Sequence, residues 1–173
     1  MKSMKSMIML DMDGVLADFE GWAVETFGSV KQWKSEIDKP DWGRFTEYPD
    51  IYAILPPMPD AMDLYNGCVE LMGDRNRVQI LTALPNRARA AFPDAAKHKI
   101  EWAKKYIHPS IRVHFGPFAQ DKQYHKQHPN DVLIDDMIRN IDQWNAVGGC
   151  GILHTSAANS LKELKELKKI HMI

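Results

Sequence analysis

Cysteine is scarce in this chain of 173 residues, long apolar runs are absent, and neither sign of charge is in excess. The two cysteines, Cys68 and Cys150, lie far apart and in no C-x-x-C pattern. That excludes a disulfide framework and fits a reducing compartment, with both thiols as buried filler. No stretch approaches the roughly 20 apolar residues of a membrane span. The basic start Met1-Lys2-Ser3-Met4-Lys5-Ser6-Met7 runs into Asp11 and Asp13 too soon to carry the apolar region of a signal peptide. The expected location is therefore cytoplasmic. The formal net charge of −1 supplies no global field for a nucleic acid polymer or a membrane surface. An anionic ligand would need a local positive site instead. The seven histidines show no H-x-x-x-H spacing, so no zinc site is expected.

What is present is an ordinary globular composition, 45% apolar and 26% charged, with enough chain for one sizeable core. Short apolar runs predict strands over 7–11, 77–83, 111–116, 131–136 and 151–154. Between them, apolar spacing predicts helices over 17–27, 59–72, 93–107, 138–147 and 161–170. Buried strands alternating with helices imply an α/β fold with a parallel sheet covered on both faces. Residues 29–57 differ. Trp33, Trp42, Phe45, Tyr48 and Tyr52 are scattered among Lys39-Pro40-Asp41, Tyr48-Pro49-Asp50 and Pro56-Pro57. This reads as short helices and loops in an inserted module, whose aromatics form a small core or line a pocket for a flat ligand.

The first strand ends in Asp11-Met12-Asp13-Gly14. Residues two apart on an extended backbone point the same way. Two carboxylates that close repel unless a cation or proton sits between them. Gly14 lets the backbone turn sharply or approach a ligand. By itself the motif describes a turn with two solvated aspartates equally well. Two later strands, however, also end in polar groups: Thr82, and Asp135 with Asp136. Strand carboxyl ends are where functional groups gather in such sheets. Lys122 and Lys126 lie in the polar stretch between, either of them a candidate cation.

Asp11-x-Asp13-Gly14, Thr82, Lys122 and Asp135-Asp136, in that order, resemble the four motifs of the haloacid dehalogenase (HAD) superfamily of aspartate-nucleophile phosphatases. The longer segment Asp11-Met12-Asp13-Gly14-Val15-Leu16-Ala17-Asp18-Phe19, with Leu81-Thr82-Ala83 and Leu133-Ile134-Asp135-Asp136, resembles the 5'(3')-deoxyribonucleotidase family. The resemblance implies a Rossmann-like core with a five-stranded parallel sheet, formed by residues 1–17 and 75–173. It implies a small helical cap over 18–74, inserted after the first strand. It also implies roles. Asp11 would be the nucleophile and Asp13 the acid and base. Thr82 and Lys122 would bind the phosphoryl group. Mg²⁺ would be held by the Asp11 carboxylate, the Asp13 main-chain carbonyl and Asp136, with Asp135 as a close ligand or support. Phe19 would pack near a nucleobase, with Trp42, Phe45 and Ala83 as further substrate contacts. Arg87 and Arg139 are either phosphate contacts or surface ion-pair partners.

These residue types suit the chemistry independently. A carboxylate attacks a phosphate dianion only when charge is cancelled, and a hard divalent cation, a lysine and a hydroxyl all serve that end. The expected activity is Mg²⁺-dependent hydrolysis of nucleoside monophosphates by a monomer or homodimer. The alternatives are a phosphatase of another small metabolite, such as a sugar phosphate, and a non-catalytic nucleotide-binding module.

Overall fold

The computed structural model describes residues 5–28, 41–85, 90–116, 118–170 and 173. Its frame is a five-stranded sheet built on β1 (Ile8–Leu10), three apolar residues buried on both faces. β1 pairs in parallel with β2 (Val78–Ala83) on one side and β4 (Val132–Asp135) on the other. β3 (Val113–Gly116) extends the sheet beyond β2, and β5 (Cys150–Leu153) beyond β4. The order is β3-β2-β1-β4-β5, all parallel. The chain steps from β1 to β2 and β3, then crosses back to β4 and β5. The order therefore reverses between β1 and β4, which opens a crevice at their carboxyl ends.

The helices among the described residues are α1 (Phe19–Phe27), α2 (Trp42–Phe45), α3 (Ile51–Ile54), α4 (Ala61–Met72), α5 (Ala95–Tyr106), α6 (Ile138–Ala146) and α7 (Ala157–Lys169). Strand alternation divides the core. Ile8, Leu10, Ile80 and Ile134 pack with Leu64 and Cys68 of α4, Trp102 of α5 and Leu164 of α7. Met9, Leu81 and Leu133 face the other way and meet Ile141 and Trp144 of α6. Both tryptophans are essentially fully buried, each contributing about 1.5–3 kcal/mol or more through apolar burial. Their indole N–H groups donate to Leu55 O at 2.7 Å and Asp131 O at 3.0 Å, so the burial leaves no orphaned donor.

Local chemistry sets the ends of these elements. Gly73 closes α4 in the left-handed region at φ 65°, where a side chain would be strained. Ser156 caps α7 by accepting from Asn159 N, which starts this helix four residues ahead of the predicted Leu161. Among the described residues no helix is long and apolar enough to cross a membrane.

The segment expected as the cap divides in its packing. α1 and α2 share an aromatic cluster around Phe45, which Tyr52 of α3 joins through Phe92, whereas α4 lies against α7 and beside β2 in the layer covering the sheet. Trp33 lies outside the described residues. The chain leaves the sheet and returns to it at adjoining points. Asp18 N donates to Pro56 O and Met58 N to Leu16 O, both at 2.8 Å, flanking an antiparallel bridge between Ala17 and Pro57.

Candidate active site

β1 delivers Asp11 to the crevice, and Asp11 N donates to Ile134 O at 2.9 Å, which locks it to β4. The next residues fold into a tight loop. Leu16 N and Ala17 N both donate to Met12 O at 2.8 Å, and Gly14 N donates to Ala17 O at 2.9 Å. Gly14 sits at φ +81°, and a Cβ there would lie 2.3 Å from Asp136 Oδ2. Glycine is required for both the turn and the close approach of the second acidic pair.

β4 supplies that pair. Asp135 is fully buried and its oxygens are spoken for: Lys122 Nζ at 2.6 Å, Met137 N at 2.9 Å, and Asn140 Nδ2 at 3.0 Å from each oxygen. Asp136 is exposed. Carboxylate oxygens of Asp11, Asp135 and Asp136 come within 4.8 Å of one another. Lys122, only 2% exposed, bridges Asp11 at 2.7 Å and Asp135 at 2.6 Å. Burial works to discharge this lysine, but the Asp11 and Asp135 carboxylates outweigh it and hold its pKa above the usual value. Of the two candidate lysines, Lys122 is therefore the one in the cluster. The 3-10 segment Ala119–His125 carries it there.

One cation against three carboxylates leaves negative charge uncompensated. Burial, then Asp11, pushes Asp135 up to about 6 against the pull of Lys122. Although the residue as a whole is exposed, crowding of its carboxyl group out of water, then Asp11 and Asp135, pushes Asp136 up to about 7. All-oxygen donors of this charge fit a hard divalent cation such as Mg²⁺. The sign of the pH effect follows. Between the ordinary 3.8 and these raised values the folded chain binds more protons than the unfolded chain. The stability these two groups contribute therefore falls as pH rises from about 4 to about 7. A cation that binds the ionised cluster reverses that loss. The rise in melting temperature on adding Mg²⁺ to EDTA-treated protein is expected to be small near pH 5 and largest above about pH 7. Thermal unfolding across that range checks it.

Asp13 points elsewhere. Its Oδ2 accepts from Lys99 Nζ at 2.6 Å, and the same ammonium donates to Thr82 Oγ1 at 2.9 Å. It also lies 4.6 Å from the centroid of the Tyr52 ring. Lys99 is completely buried, so these contacts satisfy a charge with no access to water. Asp13 Oδ1 is buried with no hydrogen-bond partner among the described residues. The Asp13 side chain thus stands outside the three-carboxylate cluster, which leaves its main-chain carbonyl as the group for the expected metal contact. Thr82 Oγ1 accepts from Lys99, and among the described residues its acceptor is Ala83 O, 3.5 Å away, too long to hold the hydroxyl proton firmly.

The sequence reading missed Lys99 and Asn140. Lys99 had a signal: it follows Ala95 by four and precedes Trp102 by three, on the buried stripe of α5. Asn140 had none, since its partnership with Asp135 arises only from the turn into α6. Of the expected aromatics, Phe19 and Trp42 are half-buried, with centroids 6.3 Å apart. Phe45 is fully buried, 5.4 Å from Phe19 and 5.1 Å from Phe27. Phe45 offers no exposed surface in this structure and packs among Phe19, Phe27 and Trp42. Ala83 is half-buried at the end of β2, Arg139 is exposed, and Arg87 lies outside the described residues.

A family model described as 5' nucleotidase, deoxy (Pyrimidine), cytosolic type C matches residues 5–170. Among solved structures, a HAD hydrolase of family IA, variant 3, from Entamoeba histolytica is 13% identical, with 85% of this chain and 82% of that chain covered at a TM-score of 0.51. The HAD domain of the effector protein Lem4 from Legionella pneumophila is 12% identical, with 96% and 94% covered at a TM-score of 0.47. No curated protein sequence matches the chain.

Proposed function

The chain belongs to the family of 5' nucleotidases, deoxy (Pyrimidine), cytosolic type C, and on that premise we propose that it hydrolyses deoxynucleoside monophosphates to nucleoside and phosphate through an aspartyl-phosphate. The observation that carries this reading is the Asp11 carboxylate, held by Lys122 beside a carboxylate cluster at the sheet's reversal point. In the proposed sequence, an Asp11 oxygen bonds to phosphorus as the ester P–O bond breaks. The departing nucleoside oxygen takes its proton from Asp13. Asp13 then removes a proton from water, the water oxygen bonds to phosphorus, and the Asp11–phosphorus bond breaks to release phosphate.

The other residues position and neutralise. Lys122 orients Asp11 and offsets charge on the phosphoryl group. Lys99 fixes the rotamer of Asp13 and leaves its second oxygen for the proton. Thr82 donates its free hydroxyl proton to a phosphoryl oxygen. Mg²⁺, held by Asp11, Asp136 and the Asp13 carbonyl with Asp135 alongside, would supply the charge that lets an anionic nucleophile meet an anionic ester. The site is assigned to a small molecule and a cytoplasmic setting, with Phe19 and Trp42 as the surface that a nucleobase would meet.

A second reading rests on the dense aromatic packing around Phe45. If the aromatics are all core, the substrate is another small phosphorylated metabolite. Phosphate release from deoxy- and ribonucleoside monophosphates, with 5' or 3' phosphates, beside hexose phosphates decides between them. The expected result is Mg²⁺-dependent release with kcat/KM at least tenfold higher for the nucleotides, about the discrimination that one aromatic contact supplies. Activity confined to hexose phosphates would replace the nucleotide assignment with the second reading.

A further inference from the structure

Away from the carboxylate cluster, a cavity of about 350 Å³ opens on the sheet face that β1, β2 and β3 form. None of Asp11, Asp13, Thr82, Lys99, Lys122, Asp135 or Asp136 lines it. Met7 and Met9 contribute apolar surface, and Lys5, Arg112, His114, His125 and His128 contribute the cationic and titratable groups. Asp131 is the one carboxylate among the lining residues. It is 1% exposed and faces inward, with Met7 N on Oδ1 at 2.8 Å and Gln127 N and His128 N on Oδ2 at 2.9 and 2.8 Å. It therefore braces the protein, and the two fixed cations of the lining, Lys5 and Arg112, outnumber it.

The hydrogen bonds fix which imidazole nitrogens are free. Gln79 Nε2 donates to Asn76 O, so Gln79 Oε1 is the acceptor for His114 Nε2–H at 2.6 Å. His125 Nε2–H donates to the carbonyl of Phe115 at 3.1 Å. Both rings thus carry their neutral proton on Nε2 and keep Nδ1 as a lone pair. His128 has the same tautomer but engages the other nitrogen: its Nδ1 accepts from Asn130 N at 3.1 Å, which leaves Nε2–H as a donor. Protonation of His114 or His125 would add a donor at Nδ1. The two rings are 6.0 Å apart, close enough for one anion to meet both.

We propose that this cavity is a second binding site, for a small organic phosphate whose phosphate group is gripped by Arg112, His114 and His125 and whose apolar body rests on Met7 and Met9. Two fixed cations plus two inducible ones match a phosphate dianion better than a single carboxylate. A volume of this size suits a small metabolite. Binding is coupled to proton uptake: burial, then His125 and Arg112, holds His114 below its ordinary pKa, and a bound dianion offsets the repulsion from the two neighbours.

The test is a pH titration of the histidine ring protons by NMR in the full chain, without ligand and with millimolar phenylphosphonate, inorganic phosphate or benzoate. Phenylphosphonate carries the dianion and an apolar body and resists hydrolysis. It is expected to raise the His114 midpoint by about one unit, equivalent to a tenfold preference for the protonated ring. Inorganic phosphate should produce a smaller rise and benzoate less still. Arg112→Met should remove the effect while leaving phosphatase activity and its inhibition by phenylphosphonate unchanged. Unmoved His114, His125 and His128 resonances would overturn the proposal. An equal response to inorganic phosphate and phenylphosphonate would overturn the organic ligand. The readout needs no turnover, so it stands apart from the phosphatase assignment.

Discussion

Asp11→Asn is expected to lower phosphate release at least a thousandfold while making the metal-free protein more stable at neutral pH. The two effects share one cause. Asn retains an Oδ1 acceptor for Met12 N and Lys122 Nζ, which meet Asp11 Oδ1 at 2.8 and 2.7 Å. The loop geometry is therefore preserved. What disappears is the nucleophilic carboxylate and one charge of three in the cluster. That charge is a principal cause, after burial, of the raised Asp135 and Asp136 values. Its loss relieves that repulsion while Lys122 keeps Asp135 at 2.6 Å, so the EDTA-treated protein is expected to melt higher at neutral pH. Phosphate release and thermal unfolding measure the two arms separately. Residual turnover above a few per cent of wild type would show that water attacks phosphorus directly and would remove the covalent intermediate. Unchanged phenotype with no turnover in either protein would favour the binding-module alternative.

Lys122→Met should do the reverse to stability. Methionine keeps most of the length and apolar stem but removes the only cation bonded to Asp11 and Asp135 among the described residues. With the lysine 2% exposed and Asp135 fully buried, the remaining carboxylates lose their counter-charge in a poorly solvated place. Breaking a buried pair from one side costs about 3–5 kcal/mol. The deficit should be greatest above about pH 7 and shrink towards about pH 5, as protons replace the missing cation on Asp135 and Asp136. Urea unfolding in EDTA at both ends of that range measures it. A loss of equal size at both would assign the role of Lys122 to packing instead of charge. Activity should fall with it, since Asp11 would lose its orienting partner.

The acidic groups were legible because apolar runs ended in them: Ile8 to Leu10 before Asp11, and Val132 to Ile134 before Asp135. An interior strand that terminates in a carboxylate has few physical reasons to do so other than a site. Strand positions followed from the same runs. Lys122 was harder to choose over Lys126, because both sit in a polar stretch that would be solvated if the 3-10 turn did not fold it against the sheet. Its selection depends on Asp11 and Asp135, residues more than ten positions away in sequence. Lys99 was encoded in the stripe of α5, as a charge where the period demanded an apolar residue, yet its partners Asp13 and Tyr52 come from distant segments. The aromatics of residues 42–52 were legible as a cluster but not by orientation, because period carries no information in so short a helix. Packing, not composition, decides that Phe45 faces inward and Trp42 partly outward.

The paired bonds of Asp18 with Pro56 and Met58 with Leu16 give the 18–57 excursion a waist barely one residue pair wide. Besides this waist, the excursion meets the rest of the molecule through α3 and the residue after it, where Tyr52 lies under Lys99 and Leu55 O accepts from Trp102 Nε1. In polymer terms the loop is already closed, and doubling its length would add only about 0.6 kcal/mol of closure cost. Changes near the tip of the excursion should therefore be tolerated better than changes at Tyr52, which reaches Asp13 through Lys99.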